Sequence, residues 1–403
     1  MQIKSAVFDL DGTLVDSLML WDVMWSKFGT LYREDPSFRP SEEDDKAVRT
    51  MTLADAMQLI HERYAIAESG EELVRCTNEI LEKFYAEDVQ LKPGVREFLD
   101  DCLANGVKMC IASATDVKLL RIALEHCDLE KYFSKIFSCA EIGKGKDCPD
   151  IYQAAQKYLG TTAGETWVFE DSAAALCTAR KLGMQTVGIY DPYNYGQDIL
   201  RENASIYIDK GESLARLIGM KKVVLLGDSI RLLGYGTMVP DVIGDKYYVW
   251  QPKDNCRFAQ YMLLGIGVSW KDYWKDADVI HFNAGLWDNC DRFGDGPFTP
   301  IDAYAETILR IARIFIANGK KVIFATTTPL DPRHADPRPE LVTAYNEAVV
   351  PKLREMGVVI NDLYSLVAQD VAGNICEDRI HLSRRGIEIC AAQTADVIRR
   401  VLG

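Results

Sequence analysis

The sequence predicts an α/β protein built from two doubly wound parallel-sheet domains. The chain has 403 residues, more than a single hydrophobic core usually supports. Two stretches each alternate short apolar strands with helical segments, which is the pattern of a parallel sheet covered by helices. The second set of strands starts afresh at residue 222, so we place the join at residues 217–220. The predicted domains are residues 1–218 and 219–403.

The predicted strands follow this division. In the first domain they cover residues 5–10, 107–112, 167–169, 186–189 and 205–208. In the second domain they cover residues 222–226, 247–250, 279–282, 321–325 and 358–360. Helical segments separate successive strands, which allows neighbouring strands to run parallel.

A helical insertion separates the first two strands of the first domain. Its amphipathic segments predict helices over residues 18–32, 54–64 and 71–84. We expect this cap, residues 16–90, to act as a lid over the carboxyl ends of the sheet, with hinges near residues 15–17 and 91–94. The pair Pro93-Gly94 interrupts the helical pattern at the second hinge.

Composition and charge exclude several classes of partner. The chain has 46 Lys and Arg against 60 Asp and Glu, for a formal net charge of −14, so we expect no nucleic-acid partner. The first residues lack the pattern of a signal peptide, and no apolar run approaches the roughly 18 residues of a membrane span, so we expect no membrane partner. The 11 cysteines form no C-x-x-C pair, which argues against zinc and favours reduced thiols in the cytoplasm.

Two carboxylates follow the first strand directly. Asp9 and Asp11 stand two residues apart at a carboxyl strand end, where open parallel sheets bind ligands. One carboxylate there can attack phosphorus and help to hold Mg²⁺, while the other protonates the leaving oxygen and then activates water. An ordinary Asp-x-Asp-Gly turn is the alternative.

Three further groups fall at strand ends of the same domain. The Ser113 hydroxyl can bind a phosphate oxygen, and Lys146 supplies a cation for phosphoryl transfer. Glu170 and Asp171 add hard oxygen ligands for Mg²⁺. Each has an alternative role when taken alone. Ser113 can be a helix cap, Lys146 a solvated lysine, and Glu170-Asp171 a polar turn. Their joint placement favours a phosphoryl-transfer site.

Four segments resemble the motifs of the haloacid-dehalogenase superfamily: DLDGTLVDS at 9–17, IAS at 111–113, KDCPDIY at 146–152 and VFEDS at 168–172. The resemblance covers residues 1 to about 218, and the insertion is similar to the cap of β-phosphoglucomutases and small phosphatases. It implies a Rossmann-like domain with a helical cap.

The same resemblance assigns roles to the acidic residues. It implies that Asp9 is the nucleophile and Asp11 the general acid and base. It also implies that Asp9, Asp171 and the backbone carbonyl of Asp11 bind Mg²⁺, with Glu170 as a nearby carboxylate. Dehalogenases of the superfamily lack the second motif carboxylate, so Asp11 indicates phosphate chemistry.

The substrate-binding residues of the cap are harder to predict. The segment Arg49-Thr50-Met51-Thr52-Leu53 falls where the cap loop of such enzymes touches substrate, although the usual glycine is missing. Trp21 and Trp25 lie four residues apart on one helical face, where they can stack on a sugar or, more often, pack in a core.

The second domain carries a candidate nucleophilic serine. Gly227-Asp228-Ser229 follows the strand at 222–226, and a serine at a helix amino terminus can direct its backbone N–H at an oxyanion. His381 can act as its base, oriented by Asp378 three residues earlier. The alternatives are a helix-start turn and a structural histidine.

These residues resemble the GDSL or SGNH hydrolases, over about residues 221–403. The resemblance implies a flavodoxin-like sheet, with Ser229 as nucleophile, His381 as base and Asp378 as the orienting acid.

The central blocks of the second domain depart from that family's pattern. Where the family has a glycine whose N–H binds the oxyanion, this chain has the segment Asp254-Asn255-Cys256-Arg257. Where the family has Gly-x-Asn-Asp, this chain has Gly285-Leu286-Trp287-Asp288. We therefore predict that the Cys256 N–H, Asn283 or Trp287 supplies the missing donors. His334, in a proline-rich loop, is an alternative base.

The sequence thus predicts a bifunctional hydrolase. The first domain would be a Mg²⁺-dependent phosphatase of a small phosphorylated metabolite, with a sugar phosphate as the first choice. The second would cleave a small acyl ester, such as an acetylated carbohydrate. Two alternatives stay open: the first domain as a sugar-phosphate mutase, and the second as a non-catalytic carbohydrate-binding module.

Overall fold

Two parallel sheets, one in each half of the chain, position the candidate residues. The computed structural model describes residues 3–49, 51–336 and 339–403. The chain divides into two compact units, Ile3–Ile218 and Gly219–Gly403. Each unit is described below by itself.

The strands of the amino-terminal unit form a six-stranded parallel sheet and a short antiparallel ribbon. They are β1 Ser5–Phe8, β2 Val15–Asp16, β3 Gln90–Leu91, β4 Lys108–Ser113, β5 Ile136–Ser138, β6 Thr166–Glu170, β7 Gln185–Ile189 and β8 Ile206–Ile208. The strand order of the sheet is β5-β4-β1-β6-β7-β8, and β2 pairs with β3 in the ribbon. Because β1 lies between β4 and β6, the residues that follow these three strands meet at one edge.

Ten α-helices complete the described part of this unit. They are α1 Leu20–Arg33, α2 Glu42–Val48, α3 Leu53–Tyr64, α4 Gly70–Glu87, α5 Val95–Ala104, α6 Val117–His126, α7 Cys139–Ile142, α8 Asp150–Leu159, α9 Ala173–Lys181 and α10 Gln197–Asn203. Helix α2 was missed in the sequence because its EEDDKAV segment has little apolar periodicity. Ser41, which caps α2 by accepting from the Asp44 N–H, was the available signal.

The cap consists of α1 to α4, and its two connections to the sheet pass through the ribbon of β2 and β3. Val15 pairs with Leu91, and Asp16 pairs with Gln90. The helices bury an apolar core of their own, which includes Met24, Phe28, Met57, Ile60 and Leu73. The cap therefore has an apolar core of its own, and both of its chain connections to the sheet pass through one narrow ribbon.

The carboxy-terminal unit has a five-stranded parallel sheet. Its strands are β9 Lys221–Leu226, β10 Tyr247–Trp250, β11 Val279–Phe282, β12 Lys321–Ala325 and β13 Val359–Asn361, in the order β10-β9-β11-β12-β13. The helices are α11 Val239–Ile243, α12 Ala259–Gly267, α13 Lys271–Trp274, α14 Ile301–Ala317, α15 Pro339–Glu355, α16 Leu363–Ala368, α17 Val371–Asn374 and α18 Arg384–Leu402. A π-helical turn, Ile230–Gly234, follows β9.

Apolar residues cover both faces of this second sheet. Along β9, Val224 and Leu226 belong to the core cluster under α12, α14 and α15. Val223 and Leu225 belong to the opposite cluster under α11, α16 and α18. Alternate residues of one strand thus enter two different cores, as a doubly wound sheet requires.

The structure confirms the prediction of an α/β chain with two parallel sheets. The predicted strands correspond to β1, β4 and β6 to β13. Their first and last residues differ from the observed ones by no more than two positions. Strand β5, Ile136–Ser138, was missed because three residues at a sheet edge carry too little apolar pattern. Among the described residues, every helix is too short or too polar to cross a membrane.

A buried ion pair anchors the start of β9. The Lys222 side chain is fully buried, and its Nζ lies 2.6 Å from Asp276 Oδ1. Burial lowers the pKa of Lys222 and raises the pKa of Asp276, so each ionised group depends on its partner.

We expect Asp276→Ala to destabilise the carboxy-terminal unit by about 3–5 kcal/mol, because it leaves a buried ammonium without a partner. The double variant Lys222→Met/Asp276→Leu should recover most of that loss. Chemical denaturation measures both free energies of unfolding. Lys221→Met, which removes a half-exposed lysine 3.8 Å from Asp278, is the matched control and should cost less than about 1 kcal/mol. A double variant as unstable as Asp276→Ala would contradict this account.

Candidate active sites

Three acidic side chains meet at the carboxyl edge of the first sheet. Asp9 follows β1, Glu170 ends β6, and Asp171 comes next in the chain. One carboxylate oxygen from each lies within 4.8 Å of the others, and all three side chains are buried. The adjacency of β1 and β6 in the sheet produces this cluster.

Lys146 holds two of these carboxylates together. Its Nζ lies 2.8 Å from Asp9 Oδ1 and 2.6 Å from Glu170 Oε1. The Leu10 N–H also donates to Asp9 Oδ1, at 2.8 Å, and the Tyr152 hydroxyl donates to Glu170 Oε1, at 2.9 Å. These contacts fix the orientation of both carboxylates.

The charge of the cluster fits a divalent cation. Burial raises the pKa of Asp9 to about 7 even though Lys146 lowers it. Burial, followed by the charge of Asp9, raises the pKa of Asp171 well above its ordinary range. One lysine balances the charge of only one carboxylate, so three ionised carboxylates leave the cluster negatively charged. Carboxylate oxygens are also the ligands that Mg²⁺ prefers. Asp9, Glu170 and Asp171 are therefore suited to hold Mg²⁺.

Asp171 sits against the Asp-x-Asp-Gly turn. The Thr13 hydroxyl donates to Asp171 Oδ1 at 3.0 Å. Gly12 has a φ of +71°, and a Cβ there would lie 2.4 Å from Asp171 Oδ2. Glycine is thus required both by the backbone conformation and by the close approach of the carboxylate.

Asp11 faces hydroxyl groups, and its side chain lies outside the carboxylate cluster. Its Oδ1 accepts from Ser17 Oγ at 2.7 Å and from the Tyr85 hydroxyl at 2.6 Å. Its Oδ2 accepts from Thr115 Oγ1 at 2.8 Å. Any part of Asp11 in metal binding thus falls to its backbone carbonyl. Burial, and then the charge of Asp11, raises the pKa of Tyr85 well above its ordinary value, so this tyrosine stays a donor.

Ser113 ends β4 beside this group. It is buried, and its Oγ accepts from the Thr115 N–H at 3.2 Å. Ser113 and Thr115 therefore connect β4 to Asp11. Tyr85, on cap helix α4, was missed by sequence reasoning because no motif surrounds it.

Arg49 is engaged within the protein. Its Nε and Nη2 lie 2.9 and 2.8 Å from Asp45 Oδ2, and its Nη1 donates to the Tyr193 carbonyl at 2.6 Å. Asp45 therefore balances the charge of Arg49, and the substrate-binding role of Arg49 stays a prediction. The neighbouring Thr50 lies outside the described residues.

The two cap tryptophans differ in exposure. Trp25 is 1% exposed, and its indole N–H donates to Asp45 Oδ1 at 2.8 Å, so it belongs to the cap core and offers no face to a sugar. Trp21 is half-buried, and the Arg49 guanidinium packs over its ring at 5.2 Å. Of the pair, only Trp21 has exposed ring surface for a ligand.

A Ser-His-Asp arrangement lies at the carboxyl edge of the second sheet. Ser229 Oγ is 2.9 Å from His381 Nε2, and His381 Nδ1 is 2.7 Å from Asp378 Oδ2. The Ile380 and His381 N–H groups donate to Asp378 Oδ1 at 3.0 and 2.9 Å. Burial raises the pKa of Asp378, but these donors lower it more and hold it below its ordinary value. The histidine that contacts Ser229 is therefore His381. His334 was the alternative base considered from the sequence.

The three proposed oxyanion donors differ in how far neighbouring protein atoms engage them. The Cys256 N–H donates to the Gly227 carbonyl at 3.0 Å. The Asn283 side-chain N–H donates to Asp228 Oδ1 at 3.0 Å. We therefore correct the expectation for the Cys256 N–H, whose single hydrogen is used. The Asn283 amide carries a second N–H, so its role as an oxyanion donor stays a prediction. Trp287 is half-buried on the segment after β11.

Arg231 is a buried charge that sequence reasoning missed. Its guanidinium is fully buried and donates to the carbonyls of Gly227 at 3.0 Å, Pro252 at 2.8 Å and Asp254 at 2.8 Å. It thereby ties the segment after β10 to the end of β9. A single arginine inside the apolar segment IRLLG was the only signal for it.

Known proteins resemble about half of this chain. Residues 6–189 match the family described as haloacid dehalogenase-like hydrolase. The chain is 25% identical over 214 residues to the phosphorylated carbohydrates phosphatase of Thermotoga maritima, covering 53% of this chain and 97% of that protein. It is 30% identical over 200 residues to the probable pseudouridine-5'-phosphatase of Drosophila melanogaster, covering 47% and 83%. The structure of CbbY from Rhodobacter sphaeroides in complex with phosphate is 18% identical, with a TM-score of 0.46, covering 52% and 95%.

Asp288, in the altered block of the second domain, caps a helix. Both of its carboxylate oxygens accept from the Ala259 N–H, at 3.1 and 3.2 Å, where α12 begins. Burial raises the pKa of Asp288 from 3.8 to about 7.

We expect Asp288 to make stability depend on pH. The folded protein keeps a proton that the unfolded chain loses above pH 3.8, so the contribution of Asp288 is full below that pH and is lost as the pH rises through about 7. Asp288→Asn should flatten this decline in the free energy of unfolding, measured by urea denaturation at several pH values. The exposed Asp245→Asn is the control. Parallel pH profiles of wild type and Asp288→Asn would contradict the prediction.

Proposed function

We propose that this chain, which belongs to the haloacid dehalogenase-like hydrolases through residues 6–189, is a bifunctional hydrolase. Its amino-terminal unit would be a Mg²⁺-dependent phosphatase of a small phosphorylated metabolite, preferably a sugar phosphate. The observation that carries this proposal is the buried cluster of Asp9, Lys146, Glu170 and Asp171.

Asp9 is the proposed nucleophile for phosphorus. The Leu10 N–H and Lys146 Nζ orient its carboxylate, as nucleophilic catalysis requires. Attack forms an aspartyl-phosphate on Asp9 and breaks the bond to the leaving oxygen. Bound Mg²⁺ would neutralise charge on the transferred phosphoryl group. Lys146, at the same carboxylate, adds positive charge close to that group.

Asp11 is the proposed general acid and base. In its protonated form it gives a proton to the leaving oxygen, and the resulting carboxylate then takes a proton from the water that attacks the aspartyl-phosphate. The hydroxyls of Ser17, Tyr85 and Thr115 hold this carboxyl group in place. The reaction releases inorganic phosphate and restores Asp9.

Two observations support a phosphatase of sugar phosphates. The two relatives compared above are named for phosphorylated carbohydrates and for pseudouridine 5'-phosphate, both of which carry a phosphate ester on a sugar. Arg49, the cap residue predicted to touch substrate, already has its charge balanced by Asp45. This favours release of phosphate over a mutase cycle that must retain a bisphosphate.

For the carboxy-terminal unit we propose serine acyl transfer on a small ester, such as an acetylated carbohydrate. The supporting observation is the hydrogen-bonded series Ser229, His381 and Asp378. His381 Nε2 takes the Ser229 Oγ proton during attack on the carbonyl and returns it to the departing alcohol. Water, deprotonated by His381, then attacks the acyl-serine ester. This releases the carboxylic acid and restores Ser229. The Ser229 N–H is the donor proposed for the oxyanion.

A non-catalytic carbohydrate-binding module is the second candidate for this unit. The engagement of the Cys256 N–H favours it, because the Gly227 carbonyl already accepts from this group. The esterase experiment below separates the two candidates.

We expect Asp9→Asn to lower Mg²⁺-dependent phosphate release by roughly 10³-fold or more, because it removes the nucleophile. Release from a panel of sugar phosphates is measured, with product identity followed by ³¹P NMR. Ser229→Ala is the control and should retain full phosphatase activity. An isomerised sugar phosphate without free phosphate would contradict hydrolysis and support the mutase.

We expect Ser229→Ala to abolish hydrolysis of p-nitrophenyl acetate, because it removes the oxygen that forms the acyl-enzyme. Labelling of the wild type at Ser229 by a fluorophosphonate, read by peptide mass spectrometry, tests the same nucleophile independently. Asp9→Asn is the control and should keep the esterase activity. Equal rates in wild type and Ser229→Ala, with no labelling, would rule against the triad and favour the binding module.

A further inference from the structure

The loop between β7 and α10, residues 190–196, contacts three functional parts of the amino-terminal unit. Asn194 contacts the proposed metal ligand Asp171, and Tyr195 contacts Asp45 of the cap. Asp191 contacts Lys92, next to the ribbon that joins the cap to the sheet. No motif in the sequence marks this loop, and the mechanism above does not use it.

At the metal end, Asn194 holds a carboxylate oxygen of Asp171. Its Nδ2 donates to Asp171 Oδ2 at 2.6 Å and to the Asp171 carbonyl at 3.1 Å. The Tyr195 N–H donates to Asn194 Oδ1 at 2.9 Å, which orients the amide so that its NH₂ group faces Asp171. With Thr13 on Oδ1, both carboxylate oxygens of Asp171 are hydrogen-bonded. Such partners set the orientation of a metal ligand.

At the cap end, Tyr195 joins the loop to α2. Its hydroxyl donates to Asp45 Oδ2 at 2.8 Å, and Asp45 is 6% exposed. The Arg49 guanidinium packs over the Tyr195 ring at 5.2 Å, while Arg49 Nη1 donates to the Tyr193 carbonyl. The cap thus rests on the loop through a buried carboxylate and its paired arginine.

At the base of the cap, Lys92 fixes the start of the loop. Its Nζ lies 2.7 Å from Asp191 Oδ2, and the Asp191 side chain is fully buried. The Tyr193 N–H donates to Asp191 Oδ1 at 2.8 Å. This ion pair and turn leave the loop little freedom to move independently of its contacts.

We propose that Asn194 and Tyr195 couple closure of the cap to the orientation of Asp171, so that the metal site is fully formed only when the cap rests on the loop. The proposal rests on the proposed Mg²⁺-dependent function. Asn194 and Tyr195 are positioning residues, since one acts through Asp171 and the other through Asn194. Because coupling between two sites is reciprocal, a bound divalent cation also stabilises the closed cap.

The test measures Mn²⁺ binding to the full chain by electron paramagnetic resonance, without substrate. Asn194→Ala should raise the Mn²⁺ Kd about tenfold or more, because Asp171 loses its orienting donor. Tyr195→Phe, which keeps the ring and removes only the hydroxyl on Asp45, should raise it about fivefold. In the double variant Asn194→Ala/Tyr195→Phe, the Kd should equal that of Asn194→Ala alone, because the cap contact acts through Asn194.

Tyr132→Phe is the matched control. The Tyr132 hydroxyl donates to Asp100 Oδ1 at 2.6 Å, and Tyr132 precedes β5, at the amino ends of the strands. This variant should leave the Mn²⁺ Kd unchanged. Circular dichroism checks that every variant is folded.

Three outcomes would overturn the coupling. An unchanged Kd in Tyr195→Phe, or independent multiplying effects in the double variant, would refute it while leaving the phosphatase intact. A wild type that binds no Mn²⁺ would refute the metal site itself, and the coupling with it.

Discussion

The placement of Lys146 between two buried carboxylates is the constraint on which the amino-terminal site depends. Asp9, Glu170 and Asp171 are brought together where water cannot screen their repulsion. Lys146 compensates part of that charge through contacts of 2.8 and 2.6 Å with two of them. The remaining negative charge is what makes the cluster suited to a divalent cation. Lys146 therefore reduces the repulsion among the three carboxylates and leaves the cluster with the negative charge that a divalent cation would balance.

Both units place their candidate catalytic groups at the carboxyl edge of a parallel sheet, but different interactions hold these groups in the two sites. The amino-terminal site relies on buried charge, and its hydroxyl donors include Tyr85 from the cap. The carboxy-terminal site relies on hydrogen bonds in series from Asp378 to His381 to Ser229, in a partly exposed position. The geometry of the first site therefore depends on the position of the cap, which supplies Tyr85. The geometry of the second site depends on the loop that carries Asp378 and His381.

Much of the fold could be predicted because its signals are local. Apolar runs such as VVLL at residues 223–226 stand out from their neighbours, and their alternation with helical segments indicates parallel strands. Short or polar elements escaped prediction. Helix α2 is held by the capping residue Ser41 and by packing of Val48, and the three residues of β5 are held by pairing with β4. Such elements owe their structure to neighbours that are distant in sequence.

Motif spacing predicted which strand ends carry candidate catalytic groups: Asp9 and Asp11 after one strand, Ser229 after another, and Asp378 with His381 before the last helix. Which of these groups meet is seen in the folded chain alone. Folding turned Asp11 toward Tyr85, neutralised Arg49 with Asp45, engaged the Cys256 N–H and placed Asn194 on Asp171. The physical reason is that motif spacing is a property of a few consecutive residues, whereas a hydrogen bond or an ion pair depends on distances of about 3 Å between segments far apart in the chain.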